Sequence, residues 1–332
     1  MKIFITGGAG YCGARMVPQL LAIGYKVTVY DQCFFGNQFL PFENPNFKLI
    51  KGDIRDTKLL EASCQGHEVF LNLACISNDA SFELNEKLST SVNLEAFLPM
   101  VKAAKRAGIR RFIYASSSSV YGVSDSPEVT EEHPLVPLTL YNKYKGECEP
   151  QLFSESNQNF ETVVFRPATV CGYSPRQRLD LSVNILTNLA INSNKITVFG
   201  GSQRRPNIHI QDYIDVVKLL ITAPADKIQK QIFNVGNENL TISEIAEIVK
   251  RVVLLNFPEK TNIEVSHSKS DDNRSYHINS DKIFKFLGFR ATRTVENAVN
   301  ELCEAFKKDL LPDSLSDNKY FNVRTLKDLD IQ

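Results

Sequence analysis

Short apolar runs recur along the first half of the chain, each closed by a polar or glycine-rich break and followed by a stretch with helical periodicity. Lys2-Ile3-Phe4-Ile5, Val27-Thr28-Val29-Tyr30, Phe47-Lys48-Leu49-Ile50, Glu68–Ala74 and Arg111–Ala115 are short and rich in β-branched and aromatic residues, and read as strands. Between them, Ala14–Ile23, Lys58–Ser63 and Leu94–Ala107, the last stopped by Gly108, gather apolar residues on one helical face. Strand and helix in alternation predict an α/β fold with a parallel sheet covered by helices on both faces. A sixth strand over Glu161–Arg166 and a seventh over Gln231–Val235 follow longer intervals, so pieces of a second, smaller lobe are expected between them. The expected division is 1–168 with 204–236 for the sheet domain, and 169–203 with 237–332 for a substrate-binding lobe. The latter carries helices over Ile242–Val253 and Val295–Lys307 and a charged loop over Ser266–Ser275.

The break after the first strand is Thr6-Gly7-Gly8-Ala9-Gly10-Tyr11-Cys12-Gly13, with Gly7, Gly10 and Gly13 spaced three apart. A strand feeding such a turn, with a helix behind it, suits a phosphate. Glycine supplies unusual φ values and lets a diphosphate approach the backbone, while the helix N-terminus faces the anion. Asp31 closes the second strand about twenty residues on, where a carboxylate holds a ribose 2′-OH and repels a 2′-phosphate. Together these features predict a Rossmann doubly wound sheet that binds NAD rather than NADP. Phe34–Pro45, rich in Phe, Gly, Asn and Pro, is the loop expected around the adenosine end.

Composition adds mainly exclusions. With 332 residues, 43% hydrophobic and 23% charged, the chain has material for two lobes with cores. Lys+Arg and Asp+Glu both number 38, so no net field attracts nucleic acid or an acidic membrane surface. The cysteines, Cys12, Cys33, Cys64, Cys75, Cys148, Cys171 and Cys303, form no Cys-x-x-Cys pair, and their odd number reads as reduced and cytosolic. His67, His133, His209, His267 and His277 lack metal-ligand spacing, so no metal is expected. A strand beginning at residue 2 and the absence of any apolar run of membrane-spanning length lead to the expectation of a cytoplasmic protein without signal peptide or membrane association.

The chemistry is expected beyond the fifth strand, in Ser116-Ser117-Ser118-Ser119-Val120-Tyr121-Gly122 and Tyr141-Asn142-Lys143-Tyr144-Lys145. Tyr141 and Lys145, four apart on a helix, face the same way, so the ammonium is expected near the phenol, lowering a pKa that starts near about 10. Tyr141 then serves as a base that takes a proton from a sugar hydroxyl while hydride leaves the same carbon. A serine at the strand end holds the developing oxyanion.

In order, Thr6–Gly13, Asp31, Gly52-Asp53-Ile54, Leu73-Ala74, Val92-Asn93, the Ser-Ser-Ser-Val-Tyr-Gly run, Tyr141/Lys145 and Arg166-Pro167 resemble the extended short-chain dehydrogenase/reductases of the nucleotide-sugar epimerase/dehydratase family, over nearly the whole length. The resemblance implies NAD as cofactor, with Gly7, Gly10, Tyr11, Cys12, Gly13 and Asp31 holding it. By the same resemblance Asp53 and Ile54 border adenine, Ala74 and Lys145 the nicotinamide ribose, and Pro167 the nicotinamide side, with Leu73, Asn93, Ser116 and Tyr141 also in contact. It further implies catalysis by Ser117, Tyr141 and Lys145, with Ser119 as the second choice of serine, and a homodimer formed through Leu94–Ala107 and Leu140–Phe153. A nucleotide diphosphate sugar is the implied substrate, held by Ser117, Ser118, Ser119, Tyr141, Asn184 and two diphosphate-binding arginines, Arg205 and Arg274. Arg176 and Arg178 match the family less closely and are read as structural or surface ion-pair residues.

Departures from the family pattern narrow the reaction. Sugar 4,6-dehydratases carry an acidic pair after the catalytic Ser/Thr, whereas this chain has Ser118 and Ser119, which disfavours dehydration. Epimerisation at sugar C4 in a bacterial-type polysaccharide pathway is then expected. The alternative is a 4-dehydrogenase or ketoreductase, because the run Ala168–Asn184 (Ala-Thr-Val-x-Gly-x-Ser-Pro-Arg-x-Arg-Leu-Asp-Leu-x-Val-Asn) and Arg204-Arg205-Pro206-Asn207-Ile208-His209-Ile210 are similar to GDP-heptose 4-dehydrogenases. A non-catalytic dinucleotide sensor on the same fold is the reading from another class, and the intact Ser117, Tyr141 and Lys145 argue against it.

Overall fold

The structure, a computed structural model, describes residues 1–124, 126–269 and 275–329. Its organising strand, β1 (Lys2–Thr6), has Ile3, Phe4 and Ile5 fully buried. Alternate residues of a strand point to opposite faces, and here both faces are covered. Ile3 and Ile5 enter one core with Leu71, Ile113 and Phe165, while Phe4 enters another with Phe70, Phe112 and Met100. That is why the strand reads as an unbroken apolar run rather than an alternation.

β1 pairs in parallel with β2 (Lys26–Asp31) on one side and β4 (Val69–Asn72) on the other. With β3 (Phe47–Lys51), β5 (Arg111–Ala115), β6 (Glu161–Pro167) and β10 (Gln231–Val235), the sheet runs β10-β6-β5-β4-β1-β2-β3. The order reverses between β1 and β4, and the crevice beyond the carboxyl ends at such a point is where doubly wound sheets bind ligands.

The smaller lobe contains β7 (Thr169–Cys171), β9 (Arg204–His209) and β11 (Glu238–Thr241) in one sheet, and β8 (Lys195–Phe199) paired with β12 (Glu264–Ser268). Helices Ser182–Ser193, Ile242–Asn256 and Val295–Lys307 pack on them through Val183, Ile245, Val249, Ala298 and Val299. Thr241 and Thr294 start the last two helices with capping boxes.

Three details differ from the expectations drawn from sequence. β9 belongs to the small sheet, and the chain rejoins the large one only with the helix Ile210–Thr222, whose Ile214, Val217 and Leu220 enter its core. Ser266–Ser268 of the expected charged loop form part of β12, whose polar outer face masks it as loop, and 270–274 lie outside the described residues. The segment expected as one helix over Leu94–Ala107 is a π-helical turn, Ser91–Glu95, followed by the helix Phe97–Arg106. Among the described residues no helix is long and apolar enough to cross a membrane, and no cluster could hold a metal ion.

Candidate functional site

A cavity of about 490 Å³ opens beyond the carboxyl ends of β1, β4 and β5 and is lined from both lobes. Its glycine loop is tightly built. Gly7 has φ +75°, and a Cβ there would lie 2.6 Å from the backbone nitrogen of Ala74, so any other residue would push the β1 turn off the β4 loop. At Gly13 a Cβ would stand 2.3 Å from the carbonyl oxygen of Gly8, which lets the helix Tyr11–Ala22 start hard against the turn. That helix is entered at Gly10 with no side-chain cap and no acidic residue in its first turn, leaving its first N–H groups for an anion.

Asp31 lines the same cavity, its Oδ2 accepting from the Ala9 N–H (2.9 Å) and its Oδ1 from the Cys33 N–H (2.7 Å). Burial raises its carboxyl above the ordinary range, against the pull of those two N–H groups. A carboxylate retains further acceptor capacity for ribose hydroxyls. Asp53, gripped by Arg55 and Gln32, and Ile54 stand beside it in the wall. Uncapped helix, glycine turn and strand-end carboxylate in one cavity fit a dinucleotide such as NAD.

The serine cluster caps the other end. Ser117 precedes the 3-10 turn Ser118–Tyr121, and its Oγ accepts from the Ser119 N–H (3.2 Å). Ser119 donates its own hydroxyl proton to Oδ1 of Asn142, so in the 2.7 Å contact between Ser117 Oγ and Ser119 Oγ the donor is Ser117. Asn142 lies on the helix Leu140–Ser154, which Thr139 N-caps through the Asn142 N–H (3.3 Å) while donating its hydroxyl to Asp79. One helix thus presents Tyr141 to the cavity and fastens the serines to it.

Lys145 differs from expectation. Its Nζ donates to the Ala115 carbonyl (2.8 Å) and sits 5.1 Å from the centroid of the Tyr114 ring. Burial pushes the Tyr141 phenol well above its ordinary value, with Cys75 and Asp79 adding to the rise, and the cation that opposes it is Arg178. A buried ammonium needs an acceptor, and the end of β5 supplies one within reach of this helix.

Under the serines runs a buried chain of polar groups. Ser116 Oγ donates to Glu149 Oε1 (2.6 Å), and Glu149 also accepts from Arg166. Arg166 reaches the Tyr121 hydroxyl (2.7 Å), which donates to Asn234 Oδ1 (2.7 Å). Burial pulls the Arg166 guanidinium down, but Glu149 and Tyr121 outweigh it and hold it above its usual range. Glu149 escaped the sequence reading although it stands one further helical step from Tyr141 and Lys145, a spacing that marks the same face.

Gly7, Gly10, Tyr11, Cys12, Gly13, Asp31, Asp53, Ile54, Leu73, Ala74, Ser116, Ser117, Ser118, Ser119, Tyr141, Lys145, Pro167 and Arg205 all line the cavity. Asn93 does not. Its amide closes on the backbone of Ile76 with Nδ2 to O (2.9 Å) and N–H to Oδ1 (2.8 Å), shaping the β4 loop from behind. Asn184 is likewise committed elsewhere, to the Gly172 N–H, the Arg178 carbonyl and the Tyr11 hydroxyl, so it braces the wall rather than forming it. Arg274 lies outside the described residues.

Arg176 and Arg178, read from sequence as ion-pair residues at the surface or in the frame, are both buried in the cavity wall. Arg178 does pair, with Asp180 (Nε to Oδ1, 2.8 Å). Arg176 instead stacks on Phe35, its Cζ 4.0 Å from the ring centroid. Spacing along a loop does not reveal that the loop crosses a cleft. Here Tyr11 fastens it across, donating its hydroxyl to Gly172 O (2.6 Å) and receiving the Ser174 hydroxyl on its carbonyl (2.7 Å). Asn322, from the helix Asn322–Asp328, closes the far side: its N–H goes to Asp180 Oδ2 (3.0 Å) and its Nδ2 to Ser77 Oγ (3.0 Å).

The profile of the "NAD dependent epimerase/dehydratase family" matches residues 3–236. UDP-glucuronic acid decarboxylase 2 of Arabidopsis thaliana is 26% identical over 327 residues, 94% of this chain and 70% of that protein. UDP-glucose 4-epimerase of Lactobacillus helveticus is 24% identical over 326 residues, 92% of this chain and 96% of that one. Among solved structures, the dTDP-glucose 4,6-dehydratase DesIV of Streptomyces venezuelae with NAD bound superposes with a TM-score of 0.82, at 22% identity and covering 93% of this chain and 98% of that one.

Proposed function

Because the chain belongs to the NAD dependent epimerase/dehydratase family, and is thus an NAD-dependent enzyme modifying nucleotide sugars, we propose that its reaction is 4-epimerisation of a nucleotide diphosphate sugar. The observation that carries this choice is the absence of an acid next to Ser117. Ser118 and Ser119 stand where elimination of water needs one, and the wall's carboxylates are engaged elsewhere: Asp31 by backbone N–H groups, Asp53 by Arg55, Asp79 by Thr139 and Asp180 by Arg178. Reversible oxidation at one carbon needs no such acid.

Bound NAD supplies the acceptor and then the donor of a hydride at sugar C4. Tyr141 acts as the phenolate, the form that Arg178 favours, and becomes the phenol as it takes the proton of the C4 hydroxyl. Ser117 turns its hydroxyl from Ser119 to the sugar oxygen, and the Ser119–Asn142 link keeps the cluster in register while it does so. Lys145, anchored on Ala115, keeps a positive charge beneath the site. Arg205 in the wall, with Arg274 as its partner, grips the substrate diphosphate, so the ketone can present its other face without leaving. The protonated Tyr141 returns its proton to the alkoxide, leaving cofactor and protein as they began. A homodimer through Leu94–Ala107 and Leu140–Phe153 belongs to the same reading, and a monomeric mass in light scattering at micromolar concentration would remove it.

A second reading, oxidation followed by decarboxylation of a nucleotide uronate, draws on Arg178, a buried guanidinium acting on Tyr141. Incubation of the purified protein with UDP-, dTDP-, GDP- and CDP-sugars, including a uronate, separates these chemistries. Epimerisation yields an isomer with no net NADH. A 4-keto sugar formed with stoichiometric NADH would mean a dehydrogenase, loss of CO2 a decarboxylase, and a 4-keto-6-deoxy product a dehydratase.

A further inference from the structure

The guanidinium of Arg176 is 4% exposed at the residue level, yet its Nε has no hydrogen-bond partner among the described residues. Its Nη2 donates to Asn322 Oδ1 (2.6 Å), and Phe35 covers one face of the fork at 4.0 Å. A buried cation so held is costly unless an anion meets it. The neighbouring charges do not supply one. Burial first, and then Arg178, disfavour the charged form and pull Arg176 below the usual guanidinium range, while Asp180, committed to Arg178 and Asn322, and Asp31, committed to Ala9 and Cys33, oppose this only in part.

The surroundings locate where the anion would lie. Arg176 lines the same cavity as Tyr11 and Cys12, in the first turn of the helix Tyr11–Ala22, and as the strand-end carboxylate of Asp31, and it acts electrostatically on all three. The loop bearing it is bolted to Tyr11 through Gly172 and Ser174, and Arg15 adds a bond to the Tyr173 carbonyl (2.6 Å). A second-lobe cation is therefore delivered to the uncapped helix end where a dinucleotide places its phosphates. The Phe35 ring and the Asn322 amide hold the fork with its Nε left for a phosphate oxygen, the geometry guanidinium suits.

We infer that Arg176, positioned by Phe35 and Asn322, is a ligand of the diphosphate of the bound dinucleotide, so that the smaller lobe helps to hold the cofactor as well as the sugar substrate. This rests on the assignment of NAD as cofactor, not on which sugar is turned over.

Calorimetric titration of the purified full chain and of Arg176→Gln, Arg176→Lys and Asn322→Ala with NAD, ADP and adenosine tests it. Arg176→Gln should weaken NAD and ADP by about ten- to hundredfold and adenosine by less than about twofold, because only the first two carry the diphosphate. Arg176→Lys should fall between, keeping the charge but not the fork, and Asn322→Ala should weaken the same two ligands if Arg176→Gln fails to fold. Unchanged NAD and ADP affinity, or equal loss for adenosine, would overturn the inference and leave Arg176 a brace. A wild-type chain that binds ADP but not NAD would overturn the cofactor assignment and the inference with it.

Discussion

Glu149 receives both Nε and Nη2 of Arg166, at 2.9 and 2.5 Å, with each side chain 3% exposed. The pair lies directly beneath the serine cluster, since the same carboxylate takes the Ser116 hydroxyl. Its removal therefore strikes stability and site geometry together.

Glu149→Gln leaves a buried guanidinium without its counter-charge, which costs about 3–5 kcal/mol when one partner of such a pair is lost. Urea unfolding should show the midpoint falling with the slope unchanged. A variant as stable as the parent would mean that the pair breaks even against a neutral amide.

Tyr141→Phe deletes only the titrating oxygen. Single-turnover formation of NADH from the active sugar should fall by at least about 10²- to 10⁴-fold, the range of a lost general base. NAD affinity measured by calorimetry should stay within about twofold. Full activity would place the base elsewhere.

Acid should loosen the junction between the lobes. Glu301 Oε2 accepts from Arg15 Nη1 (2.7 Å) and from the Tyr173 N–H (2.9 Å), and lies 3.3 Å from His209 Nε2. Burial raises this carboxyl, but His209 and Arg15 outweigh it and bring it to about 2 from 4.5. The folded value is depressed, so the contribution is present above about pH 4.5 and is lost as pH falls toward about 2, at most roughly 3 kcal/mol. Denaturant unfolding between pH 3 and 6 should slope less steeply in Glu301→Gln than in the parent; parallel curves would assign the acid sensitivity to other groups.

Cofactor choice should turn on Asp31. NAD is expected to bind at least about tenfold more tightly than NADP, because a 2′-phosphate would meet this carboxylate. Asp31→Asn should narrow that ratio while costing about 1 kcal/mol of stability, since one amide oxygen cannot serve both the Ala9 and Cys33 N–H groups equally. Fluorescence titration of both cofactors checks the ratio, and an unchanged one would show that another group sets it.

The inner strands of the large sheet were legible because burial on both faces leaves continuous apolar runs, as at Ile3-Phe4-Ile5 and Phe112-Ile113. The three-stranded sheet was not. Arg204–His209 and Glu238–Thr241 owe their pairing to each other and to β7 rather than to apolar content, and nothing local announces a partner so distant. In the site, Gly7, Asp31 and Tyr141 could be found because chemistry constrains their spacing. Arg176, Glu149 and Asn322 could not be found so readily, because each acts through a contact between segments that the spacing of motifs does not encode. Asn184 shows the converse: a polar residue at a plausible position whose amide is consumed by the frame.

The bond between Ser77 and Asn322 joins positions 245 apart, and through Arg176 and Asp180 the same asparagine reaches the loop fastened over the glycine turn. During synthesis the glycine loop and the serine cluster leave the ribosome hundreds of residues before the group that closes them in. The wall of the cavity is thus completed by one of the last segments to be made. A tag or truncation that disturbs Asn322 would therefore release Ser77, Asp180 and Arg176 together, far from the point where the chain was altered.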